Sequence, residues 1–173
     1  VLRLDDGRYA LGGEIARLNA IYVSTFSLER LVLPVLRQLV AKTKESAAYH
    51  VRQGDGRVCV FRVDSPHPVR DHMTLGEHLP LNRGSGGRVL TAFDPELSQN
   101  APARDRELYA DIRSRGWHMA CGDRLAEVVG ISAPVFSPNG AIAAALTLTM
   151  PSHRYDEKFI QSVVEGAAHL TGR

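Results

Sequence analysis

The strongest candidate for a functional site is a glycine-rich stretch, residues 79–93, which reads LPLNRGSGGRVLTAF. Four small residues, 84–87, follow a proline-bounded strand end and precede an apolar helical run that starts at Val89. Glycines let another group approach the backbone closely, and a helix N-terminus presents unpaired N–H groups and partial positive charge. With Arg83 and Arg88 beside it, this turn predicts a seat for a small anion. A strand-to-helix connection that binds nothing is the alternative.

The same turn could carry a nucleophile, because the run Gly84-Ser85-Gly86-Gly87 superficially resembles the turn of a serine hydrolase. Seven histidines are available as bases. No spacing identifies the base or the carboxylate that would orient it. A small cytoplasmic serine hydrolase that uses Ser85 is therefore the alternative function.

Metal binding is a further alternative. His67, His72 and His78 are close in sequence, and His118 lies near Cys121. Neither group has the i, i+4 spacing on a helix or the C-x-x-C form that is typical of zinc sites. Surface or hydrogen-bonded histidines are the simpler interpretation, so we expect no metal and no cofactor, and a metal-dependent sensor remains open.

A pocket for a small molecule fits the pattern better. An antiparallel sheet with one face closed by helices leaves a concave, apolar pocket with a few placed polar groups. The amides of residues 85–87 could hold a carboxylate, and the hydroxyls of Thr147 and Thr149 could contact the ligand. Val128 and Gly130 on a neighbouring strand would form an apolar, roomy wall.

The elements that must position these residues begin with a β-hairpin over residues 2–11 and a short helix over 14–20. A longer helix follows, with Ser27 as its N-cap and one apolar face running from Leu28 to Val40. Pro34 lies inside this helix and predicts a kink or a later start. We expect the helix to end near residues 42–44.

Period-two patterns and turn residues predict the remaining elements. In chain order they are a hairpin over 48–52 and 57–63, a strand over 69–75, the helix from Val89, a polar connection over 94–103, a helix over 104–115, strands over 117–121, 128–136 and 141–150, and a helix over 159–168. The apolar run 58–61 predicts a central strand covered on both faces. Hairpin strands interrupted by helices indicate an α+β fold with an antiparallel sheet and flanking helices.

Composition sets limits on the class of protein. The 173 residues are 44% hydrophobic and 23% charged, which is ordinary for a globular domain, and the net charge of +2 does not indicate a nucleic-acid surface. Two cysteines fit a reducing compartment, and no apolar run reaches the length of a membrane helix. We expect a cytoplasmic protein with no membrane contact. Because the chain starts at Val1 inside a patterned segment, we also expect it to be part of a longer protein.

Three segments together resemble the IclR family of bacterial transcription regulators. Residues 75–93 (LGEHLPLNRGSGGRVLTAF) are similar to the family block G-x-x-L-P-L-x-x-x-x-x-G-[KR]-x-L-L-A. Residues 115–151 (RGWHMACGDRLAEVVGISAPVFSPNGAIAAALTLTMP) are similar to its R-G-Y…G-E…G-I-A-A-P-V stretch. Residues 2–18 (LRLDDGRYALGGEIARL) resemble the wing of a winged helix-turn-helix followed by a linker helix.

The resemblance implies a GAF-like antiparallel sheet with flanking helices, preceded by a wing-like hairpin and a linker helix. Residues 1–26 would be the end of the DNA-binding domain with its linker, and residues 27–173 the effector-binding domain. It further implies a regulator, not an enzyme, that binds a small carboxylic or aromatic acid. Binding would change the affinity of a homodimer or homotetramer for promoter DNA through the N-terminal domain that this chain lacks. The effector, and whether it represses or activates, stay open.

The ligand contacts that follow from the resemblance and from the residues themselves are Asp71, Leu79, Ser85, Gly86, Gly87, Ala120, Asp123, Val128, Gly130, Thr147 and Thr149. Asp123, which stands where the family usually has Glu, would pin the loop before its strand or be solvated. Met150 replaces a usual Gly, and Thr147 and Thr149 replace serines. These departures predict a tighter or more apolar cavity.

Overall fold

The computed structural model describes, in chain order, residues 2–3, 5–10, 12–15, 17–18, 21 and 28–172. The chain divides into two compact units, residues 1–31 and residues 32–173. Within the described residues, no helix is both long and apolar enough to cross a membrane.

The first unit contains the predicted hairpin. Strands β1 (Leu2–Arg3) and β2 (Tyr9–Ala10) pair antiparallel, and Gly7 takes a positive φ of 82° in the connecting turn. This backbone conformation suits glycine because it has no Cβ. The described residues among 13–21 are helical, in agreement with the short helix predicted there. The proposed N-cap, Ser27, lies outside the described residues.

Helix α1 (Leu28–Thr43) confirms the long amphipathic helix. Pro34 lies inside α1, and the helix continues past it. A proline removes one backbone hydrogen bond of the helix, but the buried apolar face continues on both sides of Pro34. That face consists of Val32, Val35, Leu36, Leu39 and Val40. The helix ends where Lys44 takes a φ of 63° and donates its N–H to the Val40 carbonyl at 2.7 Å.

The second unit is built on one antiparallel sheet. Its strands are β3 (Ser46–Gln53), β4 (Gly56–Val63), β5 (His78–Pro80), β6 (His118–Cys121), β7 (Val128–Phe136) and β8 (Ile142–Pro151). Their order in the sheet is β5-β4-β3-β8-β7-β6. The pairing of β3 with β8 joins the two halves of the chain, because Ala48 lies opposite Thr147 in the centre of the sheet.

Helices cover both faces of this sheet, which confirms the α+β class. Those that follow α1 are α2 (Gly84–Phe93), α3 (Pro95–Gln99), α4 (Arg106–Arg115) and α5 (Lys158–Leu170), with 3-10 turns at Ala103–Asp105 and Ser152–Arg154. Alternation along β8 sends Leu146 and Leu148 to one face and Thr147 and Thr149 to the other. A Cβ on Gly166 of α5 would lie 2.9 Å from the Leu146 side chain and 3.3 Å from that of Val35. Leu146 of β8 and Val35 of α1 therefore both pack against α5 at Gly166.

The opposite face carries α2, which packs against β7 and β8 and against α4. The apolar cluster on this side consists of Leu81, Val89, Leu90, Ala92, Ala101, Tyr109, Ile112 and Ala145. The threonines of β8 thus lie under the first turn of α2, where the candidate site is found.

Three predicted elements were wrong in detail. The small residues 84–87 form the first turn of α2, which begins at Gly84, where a helix beginning at Val89 was expected. Residues 69–75 are not a strand; the chain turns at Gly76, whose N–H donates to the Cys59 carbonyl, and pairs with β4 only at β5. The connection over 94–103 contains α3, because the Asp94 side chain caps its N-terminus by accepting from Leu97 N–H at 3.1 Å.

Strand β4 is also less covered than its apolar run suggested. It lies second from the sheet edge, beside the three-residue strand β5. Cys59 is buried, whereas Val58, Val60 and Phe61 are half-buried. The expectation of a central strand covered on both faces was therefore wrong.

Candidate functional site

A small pocket lies between the first turn of α2 and the face of the sheet that carries the β8 threonines. The space inside it that a water-sized sphere can reach is about 30 Å³, enough for one or two water molecules. Its lining consists of His50, Arg57, Met73, Gly84, Ser85, Gly86, Ala120, Asp123, Arg124, Leu125, Val128, Gly130, Thr147 and Thr149. The pocket is small, and its wall combines apolar side chains with two cations, Arg57 and Arg124.

Most of the predicted contact residues are brought together here. Those that line the pocket are Ser85, Gly86, Ala120, Asp123, Val128, Gly130, Thr147 and Thr149. Asp71, Leu79 and Gly87 do not line it. Leu79 packs in a buried apolar cluster with Ala48, Cys59 and Met73, so it supports the pocket wall from behind.

Glycine is required at two positions by close packing. A Cβ on Gly87 would lie 2.3 Å from both the Leu81 carbonyl oxygen and the Arg57 Nη1 atom. A Cβ on Gly130 would lie 2.7 Å from the Ser85 hydroxyl oxygen. Such distances are shorter than van der Waals contact, so a side chain at either position would push α2 away from the sheet. These glycines let the helix N-terminus lie directly on the strands.

The predicted anion seat at the N-terminus of α2 is filled by the chain itself. The Gly84 N–H donates to Asp123 Oδ2 at 2.7 Å, and the Arg88 guanidinium donates to both carboxylate oxygens at 2.8 and 3.0 Å. The hydrogen bond from Arg88, with a smaller contribution from Gly84, holds the pKa of Asp123 below its ordinary value. Asp123 therefore pins the loop before β7, which is one of the two roles the sequence left open.

A second arginine of the pocket wall, Arg57, has no carboxylate partner among the described residues. Arg57 on β4 is 2% exposed and forms no ion pair with the described residues. Its Nη1 donates to the carbonyl oxygens of Pro80 and Arg83, the latter at 2.7 Å, whereas its Nε has no hydrogen-bond partner. Burial, followed by repulsion from Arg124, lowers the pKa of Arg57 to about 10, so the group stays charged at neutral pH.

A buried ion pair connects the pocket wall to the irregular segment before β5. Arg124 Nη2 donates to Asp71 Oδ1 at 2.7 Å, and the Asp71 side chain is almost completely buried. Arg62 lies on the other side, with its Nη1 3.8 Å from Asp71 Oδ2. Asp71 therefore lies behind Arg124 and holds it in place, instead of lining the pocket.

A row of hydroxyls runs beneath the pocket floor to a histidine. Ser85 Oγ lies 2.8 Å from Ser132 Oγ, which lies 2.8 Å from Thr147 Oγ1. Thr147 Oγ1 lies 3.3 Å from His50 Nδ1, and the His50 Nε2 atom lies 3.0 Å from Met73 Sδ. Burial, and then the charges of Arg57, Arg124 and Arg62, lower the pKa of His50 to about 3. The imidazole is therefore neutral at pH 7.

This row does not form a nucleophile and base. The Ser85 hydroxyl pairs with Ser132, and the histidine is separated from it by two further hydroxyls. A serine hydrolase needs the base in direct hydrogen-bond contact with the nucleophile. In the part of the chain that the structure describes, no group of three or more His, Cys, Asp or Glu side chains is arranged to hold a metal ion.

Sequence reasoning missed five residues of the lining: His50, Arg57, Met73, Arg124 and Leu125. The sixth residue outside the expected ligand contacts, Gly84, belongs to the turn that was predicted to bind an anion. A signal for Arg57 was present, because an arginine between Gly56 and an apolar strand run is unusual unless it faces a polar site. His50 similarly follows two alanines and an aromatic residue in an apolar run. For Met73 no local pattern points to the pocket, since its segment has no regular structure.

The neutral His50 makes stability depend on pH. The unfolded chain binds a proton near the ordinary pKa of 6.5, whereas folded His50 binds one only near pH 3. Protonation therefore favours the unfolded chain as the pH falls below 6.5. We expect His50 alone to remove about 2 kcal/mol of unfolding free energy between pH 7 and pH 5.

Urea denaturation at several pH values checks this expectation. His50→Gln keeps one donor and one acceptor but does not titrate, so its stability should fall less steeply with acid. The exposed His153, changed to Gln, is the matched control and should keep the steep dependence. Parallel curves for His50→Gln and the unchanged protein would contradict the assignment.

Comparison with known proteins places the chain in a family. A family profile described as "Bacterial transcriptional regulator IclR C-terminal" matches residues 20–108 and 105–170. The glycerol operon regulatory protein of Streptomyces coelicolor is 27% identical over 155 residues, which cover 79% of this chain and 61% of that protein. The chain thus spans less than two thirds of the length of this relative.

Solved structures agree with this result. An IclR-family protein from Rhodococcus sp. is 30% identical with a TM-score of 0.77, covering 98% of this chain and 73% of that chain. An IclR homologue from Microbacterium hydrocarbonoxydans, solved as a complex with 4-hydroxybenzoate, shares the fold at 22% identity with a TM-score of 0.81, covering 97% of this chain and 76% of that chain. The chain therefore belongs to the IclR family of bacterial transcriptional regulators, which are not enzymes, and corresponds to the family's C-terminal effector-binding domain.

Proposed function

We propose that this domain senses a small organic acid, carboxylic or aromatic, and that binding changes how the regulator binds promoter DNA. The observation that carries the proposal is the buried guanidinium of Arg57, which forms no ion pair with a described residue. A buried charge without a counter-ion costs several kcal/mol, and a ligand carboxylate would offset that cost.

The orientation of the guanidinium supports a carboxylate as its partner. Nη1 is engaged with two backbone carbonyls, which leaves the edge formed by Nε and Nη2. A Cβ atom added to Gly86 would lie 3.7 Å from Arg57 Nε, and one added to Gly84 would lie 3.0 Å from Arg57 Nη2. Both glycines line the pocket, so this edge of Arg57 lies along the pocket wall. Two parallel N–H donors match the two oxygens of a carboxylate.

The small volume of the pocket supports a coupling between binding and conformation. The space open to a water-sized sphere, about 30 Å³, is far below the ~300–1,000 Å³ of ordinary ligand pockets. The ligand would therefore have to open the wall, and the Arg124–Asp71 pair holds that wall closed from the side of the loop before β7. A ligand that binds an open state better than a closed state shifts the equilibrium between them.

The change between the two states would be transmitted to the DNA-binding domain through residues 1–26, which precede the effector domain. We assign residues 1–26 to the end of a winged helix-turn-helix domain and its linker, and residues 27–173 to the effector domain. The hairpin β1–β2 is the element that suits a wing. Self-association into a homodimer or homotetramer would place two such segments side by side. An effector could then raise or lower affinity for DNA, since either conformation could be the one that binds.

We expect carboxylic acids to stabilise the domain through Arg57. At 100 times its dissociation constant, a ligand adds about 2.7 kcal/mol to the unfolding free energy, which a thermal-shift screen of small acids detects. Arg57→Gln should weaken binding by about 10- to 100-fold, because charge-assisted hydrogen bonds contribute about 1.5–3 kcal/mol. Arg52→Gln is the matched control, since Arg52 lies opposite Arg57 on β3 but pairs with Asp94. Equal losses in both variants would contradict the proposal.

We further expect the acid to change promoter affinity by about 5- to 150-fold in a protein that joins this chain to a DNA-binding domain. Fluorescence anisotropy with labelled promoter DNA measures the change. Arg57→Gln should lose the response to the acid. Unchanged promoter affinity at acid concentrations that saturate the domain would overturn the regulatory part of the proposal.

A further inference from the structure

In the row of hydroxyls beneath the pocket, the donor and the acceptor of each hydrogen bond can be assigned, beginning with the contact between His50 and Met73. The thioether sulfur carries no hydrogen and can only accept, so the His50 Nε2 atom, 3.0 Å away, must carry the proton. A neutral imidazole has one N–H, which leaves Nδ1 as an acceptor. The pKa of about 3 for His50 agrees with a neutral ring.

Each hydroxyl has one proton, so the direction passes along the row. Thr147 donates to His50 Nδ1, because that nitrogen can only accept. Ser132 must then donate to Thr147, and Ser85 must donate to Ser132. The Ser85 proton is therefore used inside the chain, and Ser85 can offer only oxygen lone pairs to a ligand.

The other pocket hydroxyls behave in the same way. The Thr147 proton is used on His50, and Thr149 Oγ1 lies 3.5 Å from the Ser46 carbonyl oxygen, which can only accept. The side-chain hydroxyls of the pocket are thus acceptors toward its interior, while Arg57 supplies donors. A matching ligand needs an anionic acceptor at one end and a hydrogen-bond donor at the other.

We propose that the effector is a hydroxy acid, with its carboxylate on Arg57 and its hydroxyl donating to Ser85. This inference rests on the proposed function and specifies the chemical class of the ligand. A hydroxyl suits the site better than an ammonium group, because the wall already holds the cations Arg57 and Arg124. The carboxylates of Asp123 and Asp71 are both occupied by arginines.

Two sets of three acids test the inference by calorimetry on the 173-residue chain. Each set contains the hydroxy acid, its methyl ether and the parent acid: lactate, 2-methoxypropionate and propionate for a short spacing, and 4-hydroxybenzoate, 4-methoxybenzoate and benzoate for a long one. We expect the hydroxy acid of at least one set to bind about 10-fold or more tightly than both its companions. Acids that bind without this preference would overturn the hydroxy-acid inference and leave the proposed function standing. If none of the six binds, the proposed function fails and the inference fails with it.

Variants separate the hydroxyl contact from sterics. In Ser85→Ala the ratio between the dissociation constants of the parent acid and the hydroxy acid should fall to about one. The exposed Ser152, changed to Ala, is the matched control and should keep the preference. Met73→Leu preserves volume but removes the sulfur acceptor, so both histidine tautomers become accessible and the preference should shrink. A preference that survives Ser85→Ala would overturn the assignment of the hydroxyl to Ser85.

The direction of the row can be measured without a ligand. Long-range ¹H–¹⁵N correlations of the histidine rings distinguish the protonated from the unprotonated nitrogen. We expect His50 to carry its proton on Nε2 at pH 7. A ring protonated on Nδ1 would donate to Thr147, so the direction of the other hydroxyls would no longer be fixed, and this result would overturn the inference.

Discussion

The guanidinium of Arg57 lies inside the domain, and no described carboxylate is close enough to form an ion pair with it. Charged side chains are rarely buried without a partner, because desolvation is not compensated. Arg57 is held there by two backbone carbonyls and by the close approach of α2, which requires glycine at position 87. The geometry of the pocket depends on this buried cation, since the first turn of α2 is packed around it.

The neighbouring charges explain why Arg57 remains available. Asp123 is used at the N-terminus of α2 and by Arg88, and Asp71 is used by Arg124 and Arg62. Each carboxylate near the pocket therefore has its own structural task. Ion pairs lie on one side of the pocket and a row of hydroxyls on the other. The proposed acid would have to compete with the ion pairs and form a hydrogen bond with the hydroxyls.

The elements could be predicted where the pattern is local. The amphipathic face of α1 and the strand β8 could both be predicted from local patterns, and Thr147 and Thr149 were expected together at the pocket. Contacts between residues distant in sequence could not be predicted from these patterns. Arg57 contacts α2 only because β4 pairs with β3, and β3 pairs with β8. The start of α2 was misplaced because helix-breaking glycines are tolerated there by tertiary packing, which outweighs local propensity.

We propose that a ligand carboxylate pairs with Arg57. This pairing can be followed through the ¹H–¹⁵N resonance of the Arg57 Nε–H group during titration with an acid that stabilises the domain. A new hydrogen bond to a carboxylate should move this resonance downfield and slow its exchange with water, while the Nε–H of Arg52 is unchanged. An acid that binds and stabilises the domain without changing the Arg57 resonance would contradict the account.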